Sequence, residues 1–449
     1  MKRLPHILLV NPWIYDFAAH DLWAKPLGLL TLGGLLRAHG YQVRLLDCLD
    51  VHEPKMREQA GFKPATRRSY GTGKFYRRKT AKPPPLRQVA RPYYRFGISS
   101  EIFAERLLSG PEPDVVLVTS LMTYWYPGVQ EAIRLVKSHY PETPVVLGGI
   151  YATLCQEHAR RCSGADHVVA GAAENRLIAL MQELTRQPAP LQQAARSPDS
   201  LPAMDLEAPL DYVCILTSRG CPYHCPYCGA GLLFPGFVQK NPLAVVDELQ
   251  HWHEGFGVTD AAFYDDALLL NAEQHLLPML AEVRRRKMQL RLHTPNALHV
   301  SQLSAKVCQA LFNSGFVTIR LGLETAEARR QQLLGRKTTV RDFSRAMNNL
   351  QQAGFQPEQI GVYLLCGLPG QKPEEVAYSI DIVKDHGARP YLAEYSPIPG
   401  TALWPAAVRS SPFDLQNEPL YHNNSLLPCR SSHFGLDELQ RLKERCRAA

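Results

Sequence analysis

Short, continuous apolar runs alternate along this chain with longer stretches in which apolar residues recur every three or four positions, the pattern of buried parallel strands joined by amphipathic helices. In the first half, His6–Pro12, Gln42–Asp47, Asp114–Ser120, Pro144–Gly149 and Asp166–Gly171 read as strands. Pro26–His39, Gly128–His139 and a stretch ending at Thr185 read as helices, with Pro26 and Gly40 punctuating the first of them. This alternation predicts an α/β fold with a doubly wound parallel sheet, whose ligands sit beyond the carboxyl ends of the strands. Asn11, Thr119, Ser120, Gly148, Gly149, Gly171 and Glu174 occupy those ends.

Gln187–Pro209, rich in Pro, Ala, Gln and Ser, reads as a linker. Beyond it, strands at Asp211–Thr217, Asp260–Tyr264, Leu290–Thr294, Val317–Gly322, Ile360–Leu365 and Tyr391–Tyr395 alternate with helices that begin near Asn241, Asn271, Ser301, Thr339 and Pro373. Six strand–helix units make a partial, open (β/α)6 barrel, with its chemistry at the carboxyl ends of the strands. The expected organisation is a first domain over 1–186, a linker over 187–209, a barrel over 210–405 and a short, mostly helical tail over 406–449. The tail carries Cys429 and an amphipathic helix over Leu436–Arg445, and its role is not readable.

Composition narrows the class. With 449 residues and 45% hydrophobic content, the chain is long enough for more than one packed domain. No apolar run approaches the roughly 18 residues that a membrane helix needs, and the N-terminal Met-Lys-Arg-Leu-Pro lacks the apolar core of a signal peptide, so a cytoplasmic protein without membrane contact is expected. The net charge of +8 is concentrated in an insertion over 51–98, where thirteen Lys and Arg face only Glu53 and Glu58. Those cations are interleaved with Phe75, Tyr76, Tyr93 and Tyr94, and the segment has too little periodicity to read as helix or strand. A solvated lid, a seat for small anionic ligands and a nucleic-acid contact all stay open there, with nucleic acid the least favoured.

The densest chemistry lies in Ser218-Arg-Gly-Cys-Pro-Tyr-His-Cys-Pro-Tyr-Cys-Gly-Ala-Gly231, which sets Cys221, Cys225 and Cys228 in a CxxxCxxC array. Structural zinc asks for four ligands, commonly as two separated CxxC pairs, and no second pair follows. Three thiolates on a [4Fe–4S] cube leave one iron with an open position. The other cysteines, such as Cys214, Cys308 and Cys366, are scattered as packing residues are.

At these residues the chain resembles the radical S-adenosylmethionine superfamily, whose cluster loop reads CxxxCxΦC with an aromatic Φ, here Tyr227. The resemblance implies a [4Fe–4S] cluster on Cys221, Cys225 and Cys228 whose open iron chelates S-adenosylmethionine. One electron, delivered by a donor such as flavodoxin or ferredoxin, then gives methionine and a 5′-deoxyadenosyl radical. It also implies cofactor-binding roles for Tyr227, for Asp265 and Asp266 after the second barrel strand, and for Glu324 in Gly322-Leu-Glu-Thr325. Pro399, in Ser396-Pro-Ile-Pro-Gly-Thr401, lies where such enzymes hold adenine. His293, Thr294 and Asn296 follow the third strand, and no residue is assigned as a catalytic acid, base or hydrogen donor.

The first half resembles the cobalamin-binding, Rossmann-like domain that precedes the radical barrel in a large subfamily. The matching pieces are Asn11-Pro12, Pro26-Leu-Gly28, Gly148-Gly149 with Ala152-Thr153, and Gly171-Ala-Ala-Glu174. The resemblance implies a cobalamin site at Asn11, Thr119, Ser120, Gly148, Gly149, Gly171 and Glu174. Tyr151 stands where a histidine is usual, and no DxHxxG motif is present to supply a lower cobalt ligand. The aromatic run Thr123–Pro127 is placed either to cover the corrin or line the substrate pocket, or to pack in the core between the two domains. The function implied is methylation of an unactivated carbon in an unidentified small-molecule or peptide substrate. A cobalamin-independent rearrangement, cyclisation or oxidation is the alternative. A methylthiotransferase acting on RNA or protein is less favoured, because no cysteine follows the first strand, and a zinc or cluster protein that binds nucleic acid is the non-catalytic reading.

Overall fold

The computed structural model describes residues 3–191, 201–207, 209–335 and 338–448; parts of the expected linker, 192–200 and 208, lie outside the described residues. The chain divides into two compact units, Met1–Asp211 with Asn417–Leu420, and Tyr212–Gln416 with Tyr421–Ala449.

In the first unit, β1 (His6–Asn11), β2 (Gln42–Asp47), β3 (Val115–Val118), β4 (Val145–Leu147) and β5 (His167–Val168) form one sheet in the order β5-β4-β3-β1-β2, parallel throughout. All of β3 and β4 is buried, which is why they read as unbroken apolar runs. Ile7 and Leu9 of β1 join Leu29 and Leu36 of α1 (Leu27–Ala38) and Leu177 and Met181 of the helix Glu174–Thr185 in one core cluster. The strand order reverses between β1 and β3, the place where sheets of this order bind ligands.

Residues 201–207, inside the stretch read as a linker, pack on this unit. Ala203 N–H bonds the Leu30 carbonyl, Arg37 pairs with Asp205 at 2.7 Å and Lys25 with Glu207 at 2.9 Å. These contacts hold 201–207 against the first unit.

The basic insertion also has secondary structure that local periodicity did not signal. Arg77–Thr80 pairs antiparallel with Tyr93–Phe96, which pairs in turn with Ile14–Asp16 just after β1. Phe75 and Phe96 bury beneath this small sheet, while Arg78 and Lys79 face water. Some of its cations are structural: Arg95 is buried, lies 3.0 Å from Glu131 and stacks 5.2 Å over the Trp13 ring. The insertion is stitched to the exit of β1 by the Trp13 indole N–H, which donates to the Ile98 carbonyl at 2.7 Å.

The rim of β1 and β2 carries an ionisable group with a testable consequence. Asp47 Oδ1 accepts from Asn11 Nδ2 at 2.7 Å and from Leu49 N–H at 2.9 Å, while burial, and then the nearby Glu207, push its carboxyl up to about 7. An unfolded Asp titrates near ~3.9. The folded value is the higher one, so this group's contribution is complete below about pH 4 and is lost as pH rises through about 7. Asp47→Asn keeps an acceptor for both donors and cannot ionise. Thermal melts are expected to show the variant gaining several degrees on the wild type at pH 8 and little at pH 4.5; equal gaps at both pH values would contradict the assignment.

The second unit contains β6 (Val213–Ile215), β7 (Asp260–Phe263), β8 (Arg291–His293), β9 (Phe316–Glu324), β10 (Ile360–Cys366) and β11 (Arg389–Glu394), adjacent in that order and all parallel. This is the partial barrel. Asn241 and Thr339 are the N-caps of Pro242–Phe256 and Val340–Ala353, and Pro373 is the first residue of Pro373–Asp385. Two expected helix starts shift downstream. Asn271 adopts φ 52° in a turn before Leu276–Arg285, and Ser301 lies in a 3-10 turn before Ala305–Asn313, which Ser304 caps.

Most of the tail is packed rather than free. Its helix, Leu436–Arg447, is held to Pro373–Asp385 by the paired bonds of Arg445 to Asp381, at 2.9 and 2.6 Å. Among the described residues, no helix is long and apolar enough to cross a membrane.

Candidate active site

A hairpin carries the three cysteines. Ser218–Gly220 leaves the region of β6 and pairs antiparallel with Phe237–Gln239, so the intervening residues close on themselves as a loop. Gly220 sits at φ +77°, and a Cβ there would stand 2.1 Å from the Gly236 carbonyl oxygen, so only glycine lets the hairpin cross over itself. Cys221 and Cys225 are half-buried and Cys228 is exposed, with none in a disulfide. Among the described residues no three His, Cys, Asp or Glu side chains converge as ligands of a single ion would. The donor set itself, three thiolates on one glycine-rich loop, is the soft-ligand chemistry that an iron–sulfur cluster takes.

Three further strand ends grip this loop. Tyr223 Oη accepts from Gln302 Nε2 at 2.6 Å and its ring meets His299 edge-on at 4.4 Å. Leu403 N–H donates to the Pro226 carbonyl at 2.8 Å, and Gly229 lies against Ile398, which brings the segment containing Pro399 from β11 onto the cluster loop. The third grip is Glu324. It ends β9 after a register shift against β10 and holds φ 65°, a left-handed conformation unusual for glutamate that re-aims its side chain. Gly322 is part of the same device, because a Cβ there would come 2.9 Å from Glu324 Oε1. The carboxylate lies against Tyr227 of the cluster loop. Burial, then Glu324 and Cys225, drive the Tyr227 phenol far above its ordinary range, so it stays protonated.

The adjacent acids after β7 have separate fates. Asp265 is buried, and its carboxylate takes Thr217 N–H at 3.1 Å, Thr217 Oγ1 at 2.7 Å and Ser218 Oγ at 2.5 Å. It fixes the approach to the cysteine loop and has little left for a cofactor. Asp266 opens to solvent while remaining ringed by protein, and burial with Asp265 beside it raises its carboxyl. Of the pair, Asp266 is the one whose carboxyl is not taken up by hydrogen bonds to Thr217 and Ser218. His293 is turned inward, fully buried between Asp260 Oδ1 at 3.1 Å and Thr318 Oγ1 at 3.0 Å, and Asn296 donates to the Tyr264 carbonyl. Sequence reasoning missed the buried Tyr395. Its hydroxyl has no hydrogen-bond partner among the described residues, and it packs with Cys429 in the cluster that also receives Tyr227.

In the first unit the predicted residues separate into rim and opening. Asn11 and Ser120 are buried and committed, Asn11 to Asp47 and Ser120 Oγ to the Gly148 carbonyl at 2.6 Å. Thr119 is buried beside them. Gly149, at φ +94°, would place a Cβ 2.3 Å from the Ser120 carbonyl oxygen, so the turn after β4 admits no side chain. Gly149 and Gly171 are exposed and Gly148 is half-exposed, with no atom closer than 3.9 Å to the place of a Cβ on Gly148 and nothing within 4 Å at Gly171. Glu174 starts the following helix, where a carboxylate favours the dipole. This bare backbone edge at the ends of β4 and β5 fits a broad, flat ligand, and no histidine stands among its residues.

The aromatic run after β3 packs within the first unit. Trp125 donates to Asp16 Oδ2 at 2.7 Å, Tyr126 stacks on Tyr151 at 5.7 Å, and Tyr151 Oη lies 2.7 Å from His158 Nδ1. Tyr126 also reaches Glu418 of the tail at 3.1 Å.

Comparison with known proteins follows the same division. A model of the radical SAM superfamily matches residues 215–383, and a model of the B12 binding domain matches 93–181, which leaves β1 and most of the basic insertion outside it. An uncharacterized methyltransferase of Pyrococcus horikoshii is 25% identical over 67% of this chain and 70% of its own. The cytidylyl-2-hydroxyethylphosphonate methyltransferase of Streptomyces wedmorensis is 20% identical over 94% of this chain and 84% of its own. Among solved structures, the radical S-adenosylmethionine methyltransferase TsrM of Kitasatospora setae, with cobalamin and a [4Fe-4S] cluster bound, is alike in fold. Its TM-score is 0.64 at 18% identity, over 90% of this chain and 77% of that one.

Proposed function

We propose that this chain, which belongs to the radical SAM superfamily and carries a B12-binding domain ahead of its barrel, methylates an unactivated carbon of a small-molecule or peptide substrate. Its cofactors are a [4Fe–4S] cluster, S-adenosylmethionine and cobalamin, which together supply a hydrogen-abstracting radical and a transferable methyl group. The observation that carries the reading is the cysteine hairpin held at three barrel strand ends, with Glu324, itself in a left-handed conformation, set against Tyr227.

In this reading Cys221, Cys225 and Cys228 hold the cluster and Asp265 keeps their loop in place through Thr217 and Ser218. Asp266 and Glu324 receive the polar groups of S-adenosylmethionine, and the Ile398–Pro399 segment forms an apolar wall for its base. Gly148, Gly149 and Gly171 let the corrin approach bare backbone. The protein's work is positioning and the exclusion of water, and an external one-electron donor is required.

The test is cofactor loading. After anaerobic reconstitution with iron, sulfide and hydroxocobalamin and then desalting, about four irons and one corrin per chain are expected to remain. Iron with no retained corrin would sink cobalamin-based methyl transfer and leave a radical rearrangement, cyclisation or oxidation.

A further inference from the structure

The basic insertion encloses a cavity of about 200 Å³ that the cofactor chemistry does not use. Its walls are cationic and its floor is aromatic. Lys63, Lys74 and Arg77 line it with His20, and the buried rings of Phe75 and Phe96 close it below. No carboxylate lines it.

The cavity is held open by backbone rather than by flexible side chains. Lys63 and Arg77 exchange hydrogen bonds at 2.8 and 3.1 Å, and Thr66–Arg67 pairs antiparallel with Gly73–Lys74. Asp21 exchanges bonds with Gly73 at 3.0 and 2.8 Å, which ties the His20 loop to the same ribbon. The Arg77 guanidinium is steadied 4.8 Å over the Tyr94 ring.

Charge balance decides what the cavity takes. Asp21, which follows His20 in the chain, is engaged by Arg67 at 2.6 Å. Among the described residues Lys63, Lys74 and Arg77 enter no ion pair, so their positive charge is uncompensated. Burial, then Lys74, Arg68 and Arg77, lower the pKa of His20, which keeps it a neutral hydrogen-bonding group beside them. Two lysines and an arginine around one small space exceed what a monoanionic carboxylate neutralises and suit a phosphate dianion with its several acceptor oxygens. The Phe75 and Phe96 floor suits a ring attached to it.

The geometry points to a binding site for a phosphorylated small molecule, with the phosphate between Lys63, Lys74 and Arg77 and a planar group on Phe75 and Phe96. The site belongs wholly to the first unit and does not depend on cluster or cobalamin loading.

Calorimetric titration of the full-length protein with phenyl phosphate, inorganic phosphate, benzoate and phenol tests it. Phenyl phosphate is expected to bind about tenfold tighter than inorganic phosphate or benzoate, with phenol not binding. Lys63→Gln with Lys74→Gln, both at exposed positions, should weaken phenyl phosphate about tenfold or more with an unchanged circular dichroism spectrum. Lys79→Gln, exposed on the same segment and outside the cavity, should change it less than about twofold. Benzoate equal to phenyl phosphate would overturn the phosphate assignment, and inorganic phosphate equal to it would overturn the aromatic floor. Equal losses in all variants, or tight single-stranded RNA binding that all of them weaken alike, would replace the pocket with a diffuse basic face.

Discussion

Cys225→Ala brings 5′-deoxyadenosine formation from S-adenosylmethionine to background, and iron content falls with it. In the proposed reading the cluster hangs on three thiolates of one loop, so losing one would leave two protein ligands for four irons. Cys308→Ala is the control that separates this from general damage. Cys308 is fully buried on Ala305–Asn313, and burial pushes its thiol up to about 12, so it is an inert packing group. That variant is expected to lose about 1 kcal/mol of stability through a small cavity and to keep its iron and its adenosine formation. Iron analysis and an adenosine assay with chemical reductant on both variants make the comparison. Full adenosine yield from Cys225→Ala would mean that the loop has been misread.

Glu324→Gln raises the KM for S-adenosylmethionine by about 10- to 100-fold, the loss expected for a charge-assisted contact of ~1.5–3 kcal/mol, while iron content stays at the wild-type level. The carboxamide retains the shape and the left-handed backbone strain but not the charge. Tyr227→Phe distinguishes two jobs for this carboxylate. If Glu324 acts by anchoring Tyr227, the phenylalanine variant reproduces the defect; if it receives the cofactor directly, as proposed, the phenylalanine variant changes KM by no more than about threefold. Steady-state adenosine formation across a range of S-adenosylmethionine concentrations reads the split. Unchanged KM in Glu324→Gln would remove Glu324 from the cofactor site.

Strand–helix alternation made both sheets legible, because strands buried on two faces must be apolar without interruption, as β3 and β4 are. The cysteine loop was legible from three residues of one type at fixed spacing. What stayed hidden depended on partners far along the chain. Asp265 and Asp266 are neighbours of identical chemistry, and only Thr217 and Ser218, nearly fifty positions earlier, make one a structural acceptor and leave the other open. The insertion's short strands carry no alternation of their own, since Arg77–Thr80 and Tyr93–Phe96 gain their structure from each other and from Ile14–Asp16. At 201–207 the irregular composition was visible, but the grip of Arg37 on Asp205 and Lys25 on Glu207 was not.

The stitch between Trp13 and Ile98 spans 85 residues, and β1 lies between partners that start at Gln42 and Val115. During synthesis, then, β1 emerges more than a hundred residues before the end of its second neighbour. At about 5–20 residues per second, its apolar length stays without both neighbours for roughly 5–20 s. The charged surface of the insertion, made in that interval, gives the nascent segment a solubilising companion and a like-charge repulsion against self-association.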